Sequence, residues 1–109
     1  MADVLGAFEQ AVLLAVVRLG RDAYGRAILK DVEARLDRDV APGAVHATLD
    51  RLESKALVTS RLGGGTPIRD GRARRYYTPE AEGVRALNNA RTVMNNLWRG
   101  FDRPLKIRG

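Results

Sequence analysis

One segment, Val40 to Tyr77, narrows the choice of fold more than any other. Pro42 to Ala56 reads as a helix. Val45, Leu49, Leu52 and Ala56 make its apolar face, and Pro42 stands in the first turn, where the missing N–H of proline costs nothing. A short strand follows from Leu57 to Leu62. A turn with three consecutive glycines, Gly63-Gly64-Gly65, then extends to Gly71, and a second strand, Arg72-Ala73-Arg74-Arg75-Tyr76-Tyr77, returns from it. The expected unit is a helix with a two-stranded ribbon attached to its end.

The flanking segments are helical. Leu5, Phe8, Val12, Val16 and Leu19 recur at three- and four-residue steps and predict a helix over 5–19. Leu13, Leu14, Ala15 and Val17 widen its stripe, so burial on most sides is expected, and Gly20 is placed to stop it. Ala23 to Leu36 is the second helix, with Ile28, Val32 and Leu36 on one face, and Asp37 to Ala41 is a polar turn. The fourth helix is expected from Pro79 to about Arg99, with Thr78 as N-cap and Glu80 and Glu82 near its positive end. Its stripe is Val84, Leu87, Ala90, Met94, Leu97, Trp98 and Phe101. The fold class is mainly α with a small two-stranded β-wing. The expected division is a winged helix-turn-helix domain over 1–78, a C-terminal dimerisation helix over 79–101 and a basic tail over 102–109. A winged helix meets DNA with such a helix and an arginine-tipped ribbon.

Charge follows the same division. Residues 1–40 hold six Lys/Arg and seven Asp/Glu, whereas 41–78 hold seven and three and 79–109 hold six and three. The positive excess begins where the third helix begins, and a localised positive field attracts phosphate. The chain has no cysteine, which excludes disulfides and thiolate metal sites. The start, Met1-Ala2-Asp3, lacks the basic region of a signal peptide, and no apolar run approaches a membrane span, so a soluble cytoplasmic protein is expected.

The outer face of the third helix carries Gly43, Ala44, Ala47, Arg51 and Ser54, flanked by His46 and Thr48. Small side chains let the backbone approach the major-groove edges, alanine can touch a thymine methyl, and Arg51 can fork onto guanine or grip a phosphate. The wing contributes Arg69, Arg72, Arg74 and Arg75, with Arg72, Arg74 and Tyr76 on one face and Arg75 and Tyr77 on the other. One set should meet the DNA backbone or minor groove and the other the body of the domain. Expected DNA contacts are therefore Gly43, Ala44, His46, Ala47, Thr48, Arg51, Arg69, Arg72, Arg74 and Arg75. The competing reading of these arginines is an edge strand charged against aggregation. Gly63-Gly64-Gly65-Thr66 lacks the Gly-Lys-Ser/Thr ending of a nucleotide loop and leads into a strand. His46 is the only histidine and has no metal-ligand partner. With no nucleophile–base pair either, neither an enzyme nor a cofactor is indicated.

The order of elements and several short motifs resemble the PadR family of winged helix-turn-helix transcriptional regulators. The likeness is carried by Leu13-Leu14-Ala15 with Ala23-Tyr24-Gly25 and Ile28, and by Pro42-Gly43 with Leu49, Arg51-Leu52-Glu53 and Ala56-Leu57-Val58. Gly71-Arg72, Arg75-Tyr76-Tyr77 and Gly83 complete it. It spans roughly residues 5 to 98. Three positions depart from the family pattern: Ala41 replaces a serine, so Asp39 or water must cap the third helix; His46 replaces a tyrosine; and Pro79-Glu80 replace a Leu-Thr pair.

The resemblance implies a dimer built by the last helix with help from the first. The residues expected at that interface are Leu5, Phe8, Leu87, Met94, Leu97, Trp98 and Phe101. It also implies a DNA-binding regulator, a repressor by preference, acting on double-stranded DNA, and the two-fold symmetry of such a dimer predicts an inverted-repeat operator. Trp98 and Phe101 at the dimer axis suggest an aromatic small-molecule effector, against which plain interface packing is the simpler reading. The rival functions are a small-molecule-sensing protein and a winged helix used for protein–protein contact.

Overall fold

Apolar periodicity builds most of this chain, and the core shows which faces it selects. The structure is a computed structural model that describes residues 4–63 and 74–108. Helix α1 (Ala7–Leu19) buries Val12, Leu13, Ala15 and Val16. Leu5 precedes the helix and is itself buried in the core, so the expected helix start lies two residues early. The Gly6 N–H donates to the Glu9 carboxylate at 3.4 Å, satisfying one free amide of the first turn. Leu14 and Val17, expected to widen the buried stripe, do not. They lie on the far side of α1 from the core and are 41% and 44% exposed. Gly20 ends α1 at φ 56°, ψ −119°, a conformation open only to glycine, and leads into a 3-10 turn, Gly20–Asp22.

Helix α2 (Gly25–Leu36) buries Ile28 and Val32, whereas Leu36 is exposed at its last turn. It stops at Asp37, which takes the left-handed conformation. Helix α3 (Pro42–Ser54) buries Val45, Thr48, Leu49 and Leu52. Its N-cap, Ala41, receives no side-chain hydrogen bond, so Asp39 does not cap it.

Two ion pairs tie α1 to the other helices: Arg18 with Asp31 of α2, and Glu9 with Lys55 just after α3 at 2.8 Å. The Lys55 hydrogen bond holds the Glu9 carboxyl below the usual carboxylate range.

The exit from α3 differs from expectation. Ala56 is not on the helix. It stands beyond the C-cap Lys55 at φ 61°, exposed to solvent. The Ala56 N–H donates to Glu53 O at 2.9 Å and the Leu57 N–H to Leu52 O at 2.9 Å. This is a Schellman ending with alanine where glycine is favoured. Ala56→Gly is expected to relieve the left-handed strain. The gain is held to about 1 kcal/mol, because the greater entropy of the unfolded chain with glycine offsets part of the relief. A calorimetric midpoint a few degrees higher is the check.

Strands β1 (Val58–Leu62) and β2 (Arg75–Pro79) pair antiparallel, with Val58 opposite Pro79, Ser60 opposite Tyr77 and Arg61 opposite Tyr76. Tyr24, just ahead of α2, adds an isolated bridge to Tyr76, and the Tyr77 N–H donates to Ala23 O at 2.8 Å. The ribbon is thereby fixed to the start of α2 as well as to α3. Thr78 and Pro79 belong to β2, and helix α4 (Ala81–Trp98) starts later than expected, with Glu80 as its N-cap and no side-chain cap. The Glu80 N–H bonds to Leu57 O at 2.9 Å, and Gly83 sits against the same carbonyl.

Candidate nucleic-acid interface

The core orients α3. Because Val45, Leu49 and Leu52 face inward, Gly43, Ala44, His46, Ala47, Asp50, Arg51 and Ser54 are left exposed. Thr48 is the exception to the expected surface. It is 1% exposed, enclosed between Val45 and Leu52, and its hydroxyl accepts a 3.0 Å hydrogen bond from Arg51. Thr48 therefore presents no side chain to a ligand of this surface and acts through Arg51, whose guanidinium it steadies. The sequence reading passed over Asp50, which is exposed and lies 3.8 Å from His46 Nε2, one helical turn away. The two form a polar pair on the exposed face of α3, and a carboxylate there can accept from the amino group of cytosine.

A cleft of about 520 Å³ separates the N-terminal halves of α2 and α3. Gly25, Arg26 and Leu29 line one side and Pro42, Gly43 and His46 the other. The start of α2 and the outer face of α3 thus share one continuous surface.

Period-2 alternation sorts the wing residues. Tyr77 is buried on the core side. Arg75 shares that side and donates to Ser60 Oγ at 3.0 Å, and Ser60 donates to Glu53 of α3 at 2.8 Å. This relay ties the base of the wing to the end of α3. Arg74 and Tyr76 lie on the opposite side, as alternation predicts. Tyr76 meets Tyr24 edge to face, ring centroids 5.8 Å apart. The Arg74 guanidinium lies over the Tyr24 ring, 4.2 Å from its centroid, and that of Arg61 over Tyr76 at 5.2 Å. Arg61 was missed at the level of sequence because cross-strand register decides its face, and the long wing turn hides the register. Arg69 and Arg72 lie outside the described residues.

The expected dimer residues divide in two. Leu5 is buried in its own core and Phe8 packs half-buried against it, so Leu5 is not available to a partner. Leu87 is likewise partly covered, with Ala86 beside it. Val84, Met94, Leu97, Trp98 and Phe101 remain exposed, Leu97 at 68% and Trp98 at 48%. Among the described residues no helix is long and apolar enough to cross a membrane, and no cluster of His, Cys, Asp or Glu could hold a metal ion.

The model of the PadR-like family of transcriptional regulators matches residues 13–89. Among solved structures, a PadR family transcriptional regulator from Eggerthella lenta is 29% identical, with a TM-score of 0.64 over 82% of this chain and 75% of its own. A PadR family transcription regulator from Clostridium difficile is 25% identical, with a TM-score of 0.61 over 86% and 88%. RosR of H. salinarum is 25% identical, with a TM-score of 0.69 over 92% and 83%. No curated protein matches the chain.

Proposed function

The chain belongs to the PadR-like family of transcriptional regulators, and from that premise we propose that it is a cytoplasmic homodimeric repressor reading an inverted-repeat operator. The family's members are regulators of transcription rather than enzymes. The observation that carries the finer reading is the outer face of α3. Gly43, Ala44 and Ala47 are exposed there with Arg51, beside the start of α2. Such a face fits a major groove, and the wing beside it fits the adjacent backbone.

Dimerisation is supported by the stripe on α4. Met94, Leu97 and Trp98 are exposed apolar side chains of α4, and Phe101, which the expected stripe placed on the helix, lies beyond its end at Trp98 and is exposed as well. A second copy of the same surface is the simplest cover. Two-fold symmetry then sets half-sites about one helical turn apart, roughly 10 base pairs. Occupancy of such a site excludes polymerase.

Fluorescence anisotropy tests the reading, with a labelled duplex from upstream of the protein's own gene against a scrambled duplex at low and moderate salt. A preference for the native duplex that persists as salt rises is the expected result. Equal binding that collapses with salt would reduce the interaction to charge alone. Leu97→Asp is expected to shift the scattering mass at micromolar concentration to that of one 12.0 kDa chain and to weaken operator binding. An unchanged dimer in that variant would move the interface elsewhere.

A further inference from the structure

We propose that Arg61 and Arg74 form a clamp for the backbone phosphates of duplex DNA at the base of the wing, with Tyr24 and Tyr76 as the positioning residues that hold it. The proposal rests on the DNA-binding reading and extends it to Arg61 of β1 and to Arg74, which directly precedes β2.

The four side chains make one unit. The backbone bridge between Tyr24 and Tyr76 puts their rings on the same face of the sheet, and cross-strand pairing puts Arg61 opposite Tyr76. The rings meet edge to face, and each carries a guanidinium over its face. Stacking covers the flat side of a guanidinium and leaves its edge N–H donors free. Those edges match the oxygens of a phosphate.

Several other cations already have partners among the described residues. Arg18, Arg35, Arg85 and Lys55 pair with carboxylates, and Arg75 donates to Ser60. Arg61 and Arg74 are exposed and, among the described residues, have no carboxylate within ion-pair distance. Two like charges on neighbouring rings repel unless an anion joins them.

Position supplies the rest. Tyr24 directly precedes Gly25 and Arg26, which line the cleft shared with Gly43 and His46 of α3. The clamp therefore adjoins the start of α2, which borders the cleft shared with α3. A duplex lying on α3 has its phosphates within the same surface.

The competing role is structural, with the arginine stems merely covering tyrosine faces. Salt dependence separates the two roles. The full chain is titrated onto a mixed-sequence duplex at several salt concentrations, and the slope of log K against log salt is measured. Each phosphate contact contributes about 0.9 to that slope. Arg61→Gln and Arg74→Gln are each expected to flatten it by about one unit per wing engaged, hence about two for a dimer, and to weaken native and scrambled duplexes by the same factor. Arg61→Lys, which keeps the charge without the planar stacking, is expected to restore the slope but not the full affinity. Tyr24→Leu keeps both cations and is expected to lower affinity at a retained slope.

Glutamine variants that fold like the wild type and keep its slope would overturn the clamp while leaving DNA binding intact. So would an Arg61→Lys protein with the slope of Arg61→Gln. A wild-type chain that binds no duplex would overturn both the clamp and the reading beneath it.

Discussion

Gly83→Ala is expected to cost on the order of 3 kcal/mol and to lower the melting midpoint by roughly 10–15 °C, a large effect for adding one methyl group. A Cβ at this position would lie 2.2 Å from the carbonyl oxygen of Leu57 and 3.2 Å from its carbon. Both are backbone atoms, so no side chain can swing aside. The same carbonyl accepts the Glu80 N–H, and moving it would disturb the joint between the sheet and α4. Alanine is the better helix former by about 1 kcal/mol, which offsets only part of the clash. If α4 tilts away to make room, Ala86, Leu87 and Ala90 lose their packing, and the surface expected to hold the dimer goes with them. Calorimetry of both proteins at matched chain concentration is the check, because a dimer's midpoint depends on concentration. An alanine variant as stable as the wild type would mean that α4 does not approach Leu57 this closely.

Helices were legible wherever apolar spacing and a terminal signal agreed. Pro42 marked the start of α3, Gly20 the end of α1, and the steps through Ile28 and Val32 marked α2. The failures fall at junctions, where local signals compete with tertiary pairing. Thr78-Pro79 looks like an N-cap followed by a first-turn proline, yet both residues extend β2 opposite Val58 and Thr59. Strand pairing prevailed because Pro79 comes last in the strand and the next N–H, that of Glu80, closes onto Leu57. Ala56 fits the inner-face spacing of α3, but the chain must reverse there to begin β1, so it takes a left-handed turn instead. Neither outcome is written in the local residue types.

The candidate site was legible in outline for a similar reason. One helix's periodicity suffices to name Gly43, Ala44, Ala47 and Arg51 as outward-facing, and the structure leaves all four exposed. Thr48 was misplaced because the buried arc of α3 is wider than its apolar residues imply: a threonine whose hydroxyl is satisfied by Arg51 fits inside it. The pairing of Arg61 and Arg74 with Tyr76 and Tyr24 depends on two cross-strand registers at once, and periodicity along a single strand carries no register.

Ala47→Glu is expected to abolish specific DNA binding, with a loss of at least about 100-fold, while leaving the fold untouched. The side chain of residue 47 is exposed and stands at the middle of the small-sided face of α3, opposite the buried Val45 and Leu49. Glutamate is a good helix former and reaches water in the free protein, so the thermal midpoint should move by less than about 0.5 kcal/mol of stability. In the complex the carboxylate would be pressed between base edges and phosphates. Like-charge juxtaposition of this kind costs several kcal/mol, and each 1.4 kcal/mol is about a tenfold loss. The existing acid on this helix does not weaken the argument: Asp50 has His46 beside it one turn away, whereas the only cation one turn from residue 47 is Arg51, which the new carboxylate would draw away from any phosphate or base. Anisotropy on the native and scrambled duplexes, with circular dichroism of the free protein, decides the matter. Wild-type affinity in a folded Ala47→Glu protein would remove α3 from the groove and leave the wing as the only contact.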